Sequence, residues 1–409
     1  MTRAPEVVFV TQFFPPETGA GARRTGALAA ALAERTRVRV LTLAPGYPDP
    51  ALYASDAAAL ADASFAGEVE RGPAFRPHER SFTRRARLEI AMARALVARL
   101  PRHGVRVVVV STPSMFLAPI AWWAARRRGA RFVWDVRDLT WRYALESARP
   151  SWPQRLALRA LEGFLHALAR RADLVVAATP GIGTWLREQG VAEDRMVVTS
   201  NGIARAVLES FASPRPPVAH ARPRLTYVGL MGHNHDVRVL VDLAARMPEA
   251  DLHLVGDGPD REAVEAHARA VGAVNVTFHG YVTDAAALAR HYLDSDVLVA
   301  HTRATPTLDR IVAPAKTYEY FATGRPVVYA GAGETADRLR TLDLARVVPP
   351  GDPDALVAAV REVLAEPDAA AERAQRARAW VRANHVREDL MDDLAQRIVH
   401  RFGLAGPVV

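Results

Sequence analysis

Short, continuous apolar runs recur along the chain with amphipathic stretches between them. The runs VVFV (7–10), RVRVLTL (37–43), VRVVVV (105–110), RFVWDV (131–136), LVVAAT (174–179) and MVVTS (196–200) lack a polar alternate face. They therefore read as parallel strands covered on both sides. Stretches such as 22–34 and 153–171 instead carry Ala, Leu and Arg at helical spacing. Strand and helix in alternation predict βαβ units and an open, doubly wound sheet.

The alternation pauses at 204–224, where four prolines and little periodicity predict a linker. It restarts with RLTYVG (224–229), DLHLVG (251–256), VTFHG (276–280), DVLVA (296–300) and PVVYAG (326–331). A chain of 409 residues also exceeds the roughly 250–300 that one core supports. The expected architecture is thus α/β, with two Rossmann-like domains at 1–205 and 206–380 facing a central cleft. A final helical stretch, 381–402 within a tail to 409, is expected to pack back on the first domain.

Residues 107–125 are mostly apolar and precede three arginines, an arrangement that imitates a membrane span. The polar break at Ser111, Thr112, Pro113 and Ser114 instead favours a strand turning into a helix. Segment 76–100 can segregate arginines from aliphatics on a helix, which suits peripheral contact with an anionic membrane or an arginine-coated helix packed on its own domain. A net charge of +8 and a pI near 10.2 attract anions. Arginine and alanine are abundant throughout, as GC-rich codons produce, and no zinc-finger, aromatic RNA-binding or basic-helix signature appears. Nucleic acid is therefore not expected as a partner, whereas a phosphorylated substrate is. The absence of cysteine excludes disulfides and thiolate chemistry and fits a reducing compartment. The run VVFV is too short for an export signal, so the expected location is the cytoplasm, with the inner face of the membrane as a peripheral site.

Three stretches carry candidate chemistry. In FFPPETGAGARRTGALAAAL (13–32), Gly19 and Gly21 allow close backbone approach where a helix begins, and its free N–H groups can hold an anion beside Arg23 and Arg24; an ordinary turn has the same form. LVGDGPDRE (254–262) repeats the device with Gly256 and Gly258, and there Asp260 suits a helix cap. In VAPAKTYEYFATGRPVVYAG (312–331), Pro314 starts a helix expected over 315–323 and Gly324 ends it. Lys316 is the one lysine among 53 basic residues. A cation at a helix N-terminus opposes the helix dipole, unless a diphosphate sits between them. Glu319, on the same face, would then reach sugar hydroxyls; a plain Lys316–Glu319 surface pair is the alternative.

At these residues the chain resembles the retaining, nucleotide-sugar-dependent glycosyltransferases of family four, with the GT-B fold. The likeness runs through FFPPETGAGARR, DVRDL (135–139), YVGLMG (227–232), LVGDGPDRE, VTFHGYV (276–282) and APAKTYEYFATGRPVV. It looks closest to the subgroup of amino-sugar transferases of bacterial surface polysaccharides. The resemblance implies that Gly19, Gly21, Gly232, His233 and Gly256 face the donor. It further implies that the loop of Gly280, Tyr281 and Val282 holds the base, that Lys316 meets the diphosphate and that Glu319 binds the ribose. The chain departs from the family pattern at Ile311, where a first glutamate is usual, and at GLMGHNHD, which lacks the usual Arg and Lys.

The function expected is transfer of a sugar from a nucleoside-diphosphate sugar, such as a UDP-sugar, to an acceptor hydroxyl with retention of configuration. Surface-glycan or secondary-metabolite biosynthesis is the setting, and a lipid-linked saccharide or a small molecule is the acceptor. Lys316, Glu319 and Asp138 are the catalytic candidates. Arg23, Arg24, Asp135 and Asp138 are the acceptor-side candidates, because ligands of open sheets bind beyond the strand ends. No metal or other cofactor is expected, since the 13 histidines form no ligand motif. The alternatives are an epimerase of the same fold and a non-catalytic nucleotide-sugar-binding subunit.

Overall fold

The computed structural model describes residues 5–46, 50, 53, 57–74, 82–147, 150–211, 220–311 and 315–404. The chain divides into two units, one of Met1–Asn201 with Arg387–Val409 and one of Gly202–Val386.

The first unit holds strands β1 (Val7–Thr11), β2 (Val38–Thr42), β3 (Glu68–Arg71), β4 (Val107–Ser111), β5 (Arg131–Val136), β6 (Leu174–Ala177) and β7 (Met196–Val198). They form one parallel sheet in the order β3-β2-β1-β4-β5-β6-β7. Its central strands are buried along their length, as their continuous Val-rich runs require. The second unit holds β8 (Arg224–Val228), β9 (Asp251–Val255), β10 (Val276–Gly280), β11 (Val297–His301), β12 (Val327–Ala330) and β13 (Arg346–Val348). Its parallel sheet runs β10-β9-β8-β11-β12-β13. Both orders reverse direction beside the first strand of their unit, as in Rossmann-like domains.

Two strands escape the apolar-run criterion, and both lie at sheet edges. Glu68–Arg71 has the sequence EVER and Arg346–Val348 is three residues long. An edge strand needs little hydrophobicity, and charge there discourages pairing with other chains.

The stretch 107–125 consists of β4, a loop and the helix Leu117–Arg127. Among the described residues no helix is long and apolar enough to cross a membrane. The linker reading of 204–224 needs revision, since Arg205–Ser210 is helical and residues 212–219 lie outside the described set. The expected helix over 381–402 is in fact two. Pro367–Asn384 ends in the second unit, and Arg387–Phe402 starts afresh in the first. Between them Val386 bridges Ile203. Helix Arg387–Phe402 packs Met391, Leu394 and Ile398 with Leu28 and Leu32 of helix Ala20–Ala33.

In the second unit, the ladder between β8 and β11 pairs Leu225 with Val297 and Thr226 with Leu298. Farther along, the Tyr320 hydroxyl stands in for a strand: it accepts from Val228 N–H at 2.8 Å and donates to Val228 C=O at 3.0 Å. Tyr320 belongs to helix Ala315–Ala322, so this phenol fixes that helix against the end of β8. Gly324 follows with φ +70°, a left-handed terminator. Tyr320→Phe is expected to leave two buried backbone groups unpaired and to lower unfolding free energy by about 1–3 kcal/mol. Denaturant titration checks this against Tyr281→Phe, an exposed control for which little change is expected.

Candidate functional site

Three glycine turns stack where β8, β9 and β10 end. Gly229, Gly256 and Gly280 all have positive φ, and a backbone ladder joins them: Gly229 N–H donates to Val255 C=O at 2.9 Å, and Gly256 N–H to Gly280 C=O at 2.8 Å. A Cβ on Gly256 would collide with the carbonyl oxygen of Gly229, and one on Gly258 with that of Met231. Glycine here serves close packing of turn on turn. Gly256 and Gly258 are thus spacers that let the neighbouring strand ends meet.

Lys316, the second residue of helix Ala315–Ala322, reaches into the first of these turns. Its Nζ donates to the Tyr227 hydroxyl at 2.7 Å and sits 4.2 Å from the Tyr227 ring centroid. A Cβ on Gly229 would lie 2.9 Å from Nζ, so the turn accommodates the ammonium because it has no side chain there. Tyr227 in turn donates to Leu230 C=O at 2.7 Å. Among the described residues no carboxylate pairs with Lys316. Burial pulls its pKa down to about 7, because a charged ammonium loses water there and gains little in return.

The loop after β8, the GLMGHNHD stretch, is clasped from the end of β11. Arg303 donates through its backbone N–H to Asn234 C=O, through Nε to His233 C=O and through Nη2 to Asp236 at 2.7 Å. His301 donates through Nδ1 to His235 C=O at 2.7 Å and accepts at Nε2 from Gly351 N–H at 3.0 Å, which defines a neutral tautomer. His233 turns an exposed side chain outward. The inward histidine is His235, whose Nδ1 is buried without a hydrogen-bond partner. Burial, then the charge of Lys316, hold its pKa well below the ordinary value. Gly232 is buried at the base of the loop, where its carbonyl accepts from His235 N–H.

Glu319 accepts from the Tyr292 hydroxyl at 2.6 Å, so Lys316 and Glu319 have separate partners. Tyr281 is exposed beyond β10, while Val282 packs partly on the core. Ile311, at the position of the family's usual first glutamate, is 3% exposed and contributes to the apolar interior. Pro314 lies outside the described residues.

In the first unit, Gly19 is the N-cap of helix Ala20–Ala33 and Arg23 is exposed. Arg24 and Asp135 are not available as acceptor contacts. Both side chains are 0% exposed, and Arg24 meets Asp135 through Nε and Nη2, the latter at 2.8 Å. Its Nη1 donates to Thr199 C=O and Ser200 C=O, and Asp135 also accepts from Ser111. The pair ties helix Ala20–Ala33 to β5, β4 and the chain after β7. Asp138 remains half-buried, 3.9 Å from Arg137. Arg137, which no sequence signal marks, lies against the first turn of helix Ala20–Ala33. A Cβ on Gly21 would approach its guanidinium to 2.5 Å. Arg137 Nη1 donates to Thr112 C=O, Nε is buried without a partner, and burial lowers its pKa. Among the described residues no cluster of His, Asp or Glu is arranged to hold a metal.

Residues 19–202 match the glycosyl transferase 4-like domain, and residues 222–366 match glycosyl transferases group 1. Glycogen synthase of Mycobacterium tuberculosis is 27% identical over 390 residues, spanning 91% of this chain and 89% of that protein. The GDP-mannose-dependent alpha-(1-6)-phosphatidylinositol monomannoside mannosyltransferase of Mycolicibacterium smegmatis is 28% identical over 48% of this chain and 50% of its own. In fold, the chain is similar to sucrose-phosphate synthase of Thermosynechococcus elongatus, at TM-score 0.72, 19% identity and coverage of 97% and 99%. HepE of Anabaena, solved in complex with UDP, superposes at TM-score 0.67, 16% identity and coverage of 97% and 100%.

Asp135→Ala is expected to strand the buried Arg24 guanidinium and lower stability by about 3–5 kcal/mol, whereas Arg24→Met with Asp135→Leu recovers most of the loss. Denaturant unfolding of the two variants checks this; equal losses in both would mean that packing, and not the stranded charge, sets the cost.

Proposed function

We propose that the chain is a GT-B glycosyltransferase that uses a nucleotide-sugar donor, a reading the two matched domains support, and that the Lys316 ammonium receives the diphosphate of that donor. The supporting observation is the half-buried Lys316, whose Nζ has the hydroxyl and ring of Tyr227 for company and no carboxylate among the described residues. An arriving diphosphate supplies the missing charge, and the turn at Gly229 leaves room for close approach. Glu319, one helical turn farther on, accepts sugar hydroxyls of the nucleoside, and the Gly280–Tyr281–Val282 loop meets the base.

In this reading the sugar passes to an acceptor hydroxyl with retention of configuration. The leaving diphosphate develops charge, and fixed donors stabilise it without a protein nucleophile. The acceptor is the hydroxyl of a lipid-linked saccharide or a small molecule, bound in the first unit with Asp138 and Arg137 as the reachable polar groups. The lipid-acting mannosyltransferase among the relatives makes the lipid-linked class the first to try. Charge neutralisation by Lys316 leaves no role that demands a metal, and the reaction takes place on the cytoplasmic side. A second reading, a subunit that binds donor without turning it over, draws on the apolar Ile311. Incubation with a panel of nucleotide sugars and acceptors, followed by NMR of the anomeric proton, tests both. Binding without product or donor hydrolysis would select the second.

The lysine pKa sets a sharper expectation. Between about 7 and its ordinary 10.4, the unfolded chain holds a proton that the folded chain has released. The free protein therefore gains stability as pH rises through that window and carries the full cost of the buried charge below it. Diphosphate restores the charged form, so binding near pH 8 should take up close to one proton, and affinity should fall about tenfold per pH unit above 7. Calorimetry in buffers of different ionisation enthalpy checks this with nucleoside diphosphate. Lys316→Met is expected to abolish the uptake and weaken binding by roughly 1.5–3 kcal/mol, while leaving the free fold at least as stable. Unchanged affinity in that variant would remove the site.

A further inference from the structure

Helix Trp152–Arg171 in the first unit is apolar on two faces. One face buries Leu158, Leu165, Leu168 and Ala169, as an amphipathic helix should. The opposite face, where charged residues are expected, carries Trp152, Leu156, Ala160, Gly163, Phe164 and Ala167 at spacings of three and four that keep them in one stripe. Trp152 is 76% exposed, Leu156 59% and Phe164 47%. A Cβ on Gly163 would meet no atom within 4 Å, which leaves the stripe open. Such a surface costs free energy in water unless something covers it.

Charge beside the stripe indicates what covers it. Arg155 and Arg159 flank it and, with Arg142, line a cavity of about 330 Å³ that Leu145, Glu146 and Glu162 complete. Arg142 pairs with Glu162 at 3.4 Å, and Arg155 donates to Pro150 C=O, so two of the three guanidiniums have protein partners. The neighbouring helix Leu117–Arg127 adds Trp123, 57% exposed with the Arg127 guanidinium 4.6 Å from its ring centroid. Arg126 of that helix donates to Arg171 C=O, which joins the two helices. Exposed Trp, Leu and Phe rimmed by arginine is the composition of a helix that lies in a bilayer interface. Tryptophan is favoured at headgroup depth.

We propose that the outer face of helix Trp152–Arg171, together with Trp123, docks on an anionic lipid bilayer, with Trp152, Leu156 and Phe164 in the interface and the arginines at lipid phosphates. The helix Phe82–Val97 is not this surface. It buries Met92, Ala93, Leu96 and Val97 and exposes Leu88 beside Arg84, Arg85 and Arg87, which makes it an arginine-coated packing helix; residues 76–81 lie outside the described set. This docking does not depend on the donor site.

The chain has no cysteine, so Leu156→Cys carries a single environment-sensitive fluorophore at the centre of the stripe. Vesicles of phosphatidylcholine and of an equimolar mixture with phosphatidylglycerol serve as probes. The label is expected to shift to the blue with the anionic vesicles, and the full chain to bind them at least about tenfold more tightly than the neutral ones. Arg155→Gln with Arg159→Gln should weaken anionic binding roughly fivefold to thirtyfold, and Trp152→Ser with Leu156→Ser roughly tenfold or more. These side chains are exposed, and circular dichroism confirms that the variants fold. Equal binding to both vesicle types, or a blue shift at Leu88→Cys and not at Leu156→Cys, would overturn the assignment. So would a shift that grows with protein concentration without lipid, which would mean that a second copy covers the stripe.

Discussion

A half-buried ammonium with a phenol for its neighbour links the elements at the centre of the second unit. Lys316 could be satisfied cheaply by a carboxylate at hydrogen-bonding distance, and none of the described residues supplies one. The fold instead lets burial pull the ammonium pKa to about 7, so the charge is held close to the point of release. An electrostatic deficit of this kind favours an anion over water in the same place. Burial, and after it the same cation, holds the pKa of His235 well below the ordinary value. The Nδ1 of His235 is left without a partner beside it, so the site keeps unspent polar capacity at two adjacent groups.

The packing beneath the lysine sets its position. Tyr320 and Lys316 share one short helix. The Tyr320 phenol is fixed by both backbone groups of Val228, and Lys316 by the residue just before, Tyr227. Helix and strand are thus linked at two consecutive strand positions. Tyr227 serves both sides, because it also donates to Leu230 C=O and so sets the start of the loop that Arg303 closes from the other end. Gly229, Gly256 and Gly258 permit the turns to stack closely enough for these contacts to coexist. A side chain at Gly229 would displace the ammonium itself.

The strands and the candidate lysine were legible in the sequence because each left a one-dimensional signal. Buried parallel strands are apolar throughout, and a single lysine stands out in an arginine-rich chain. What was not legible depends on residues far apart in sequence. Tyr227 lies 89 positions from Lys316, and Arg303 closes a loop 67 positions away. Neither side chain is unusual for a strand end. Arg24 was legible as a charged residue near a helix start and Asp135 as one at a strand end, but not as partners, since 111 positions separate them. Exposed carboxylates and fully paired buried ones look alike in a string of letters. Arg137 shows the converse, because its nearness to Gly21 appears once β1 and β5 are placed on either side of β4. Over 153–171 the sequence showed Ala, Leu and Arg at helical spacing, and so a helix, but not a second apolar face. Which of its two apolar faces is buried depends on where the sheet lies.

The division of labour between arginine and lysine follows from their shapes. Arg24 satisfies one carboxylate and two carbonyls from a single guanidinium. Arg128 similarly ties Leu100, Pro101 and Ala124 C=O together. These are structural roles for a planar fork whose charge is permanent. At position 316 both properties would be defects. The room between Gly229 and the Tyr227 ring fits an ammonium, and a guanidinium is broader. An arginine also cannot give up its proton at any pH the protein meets, so it would carry a permanent charge in this confined position. Lysine alone among the basic side chains combines a point charge with a pKa that burial can bring near neutrality. The one lysine thus stands where the space fits a compact cation and burial lowers its pKa, while Arg24 and Arg128 stand where a planar fork ties several carbonyls together.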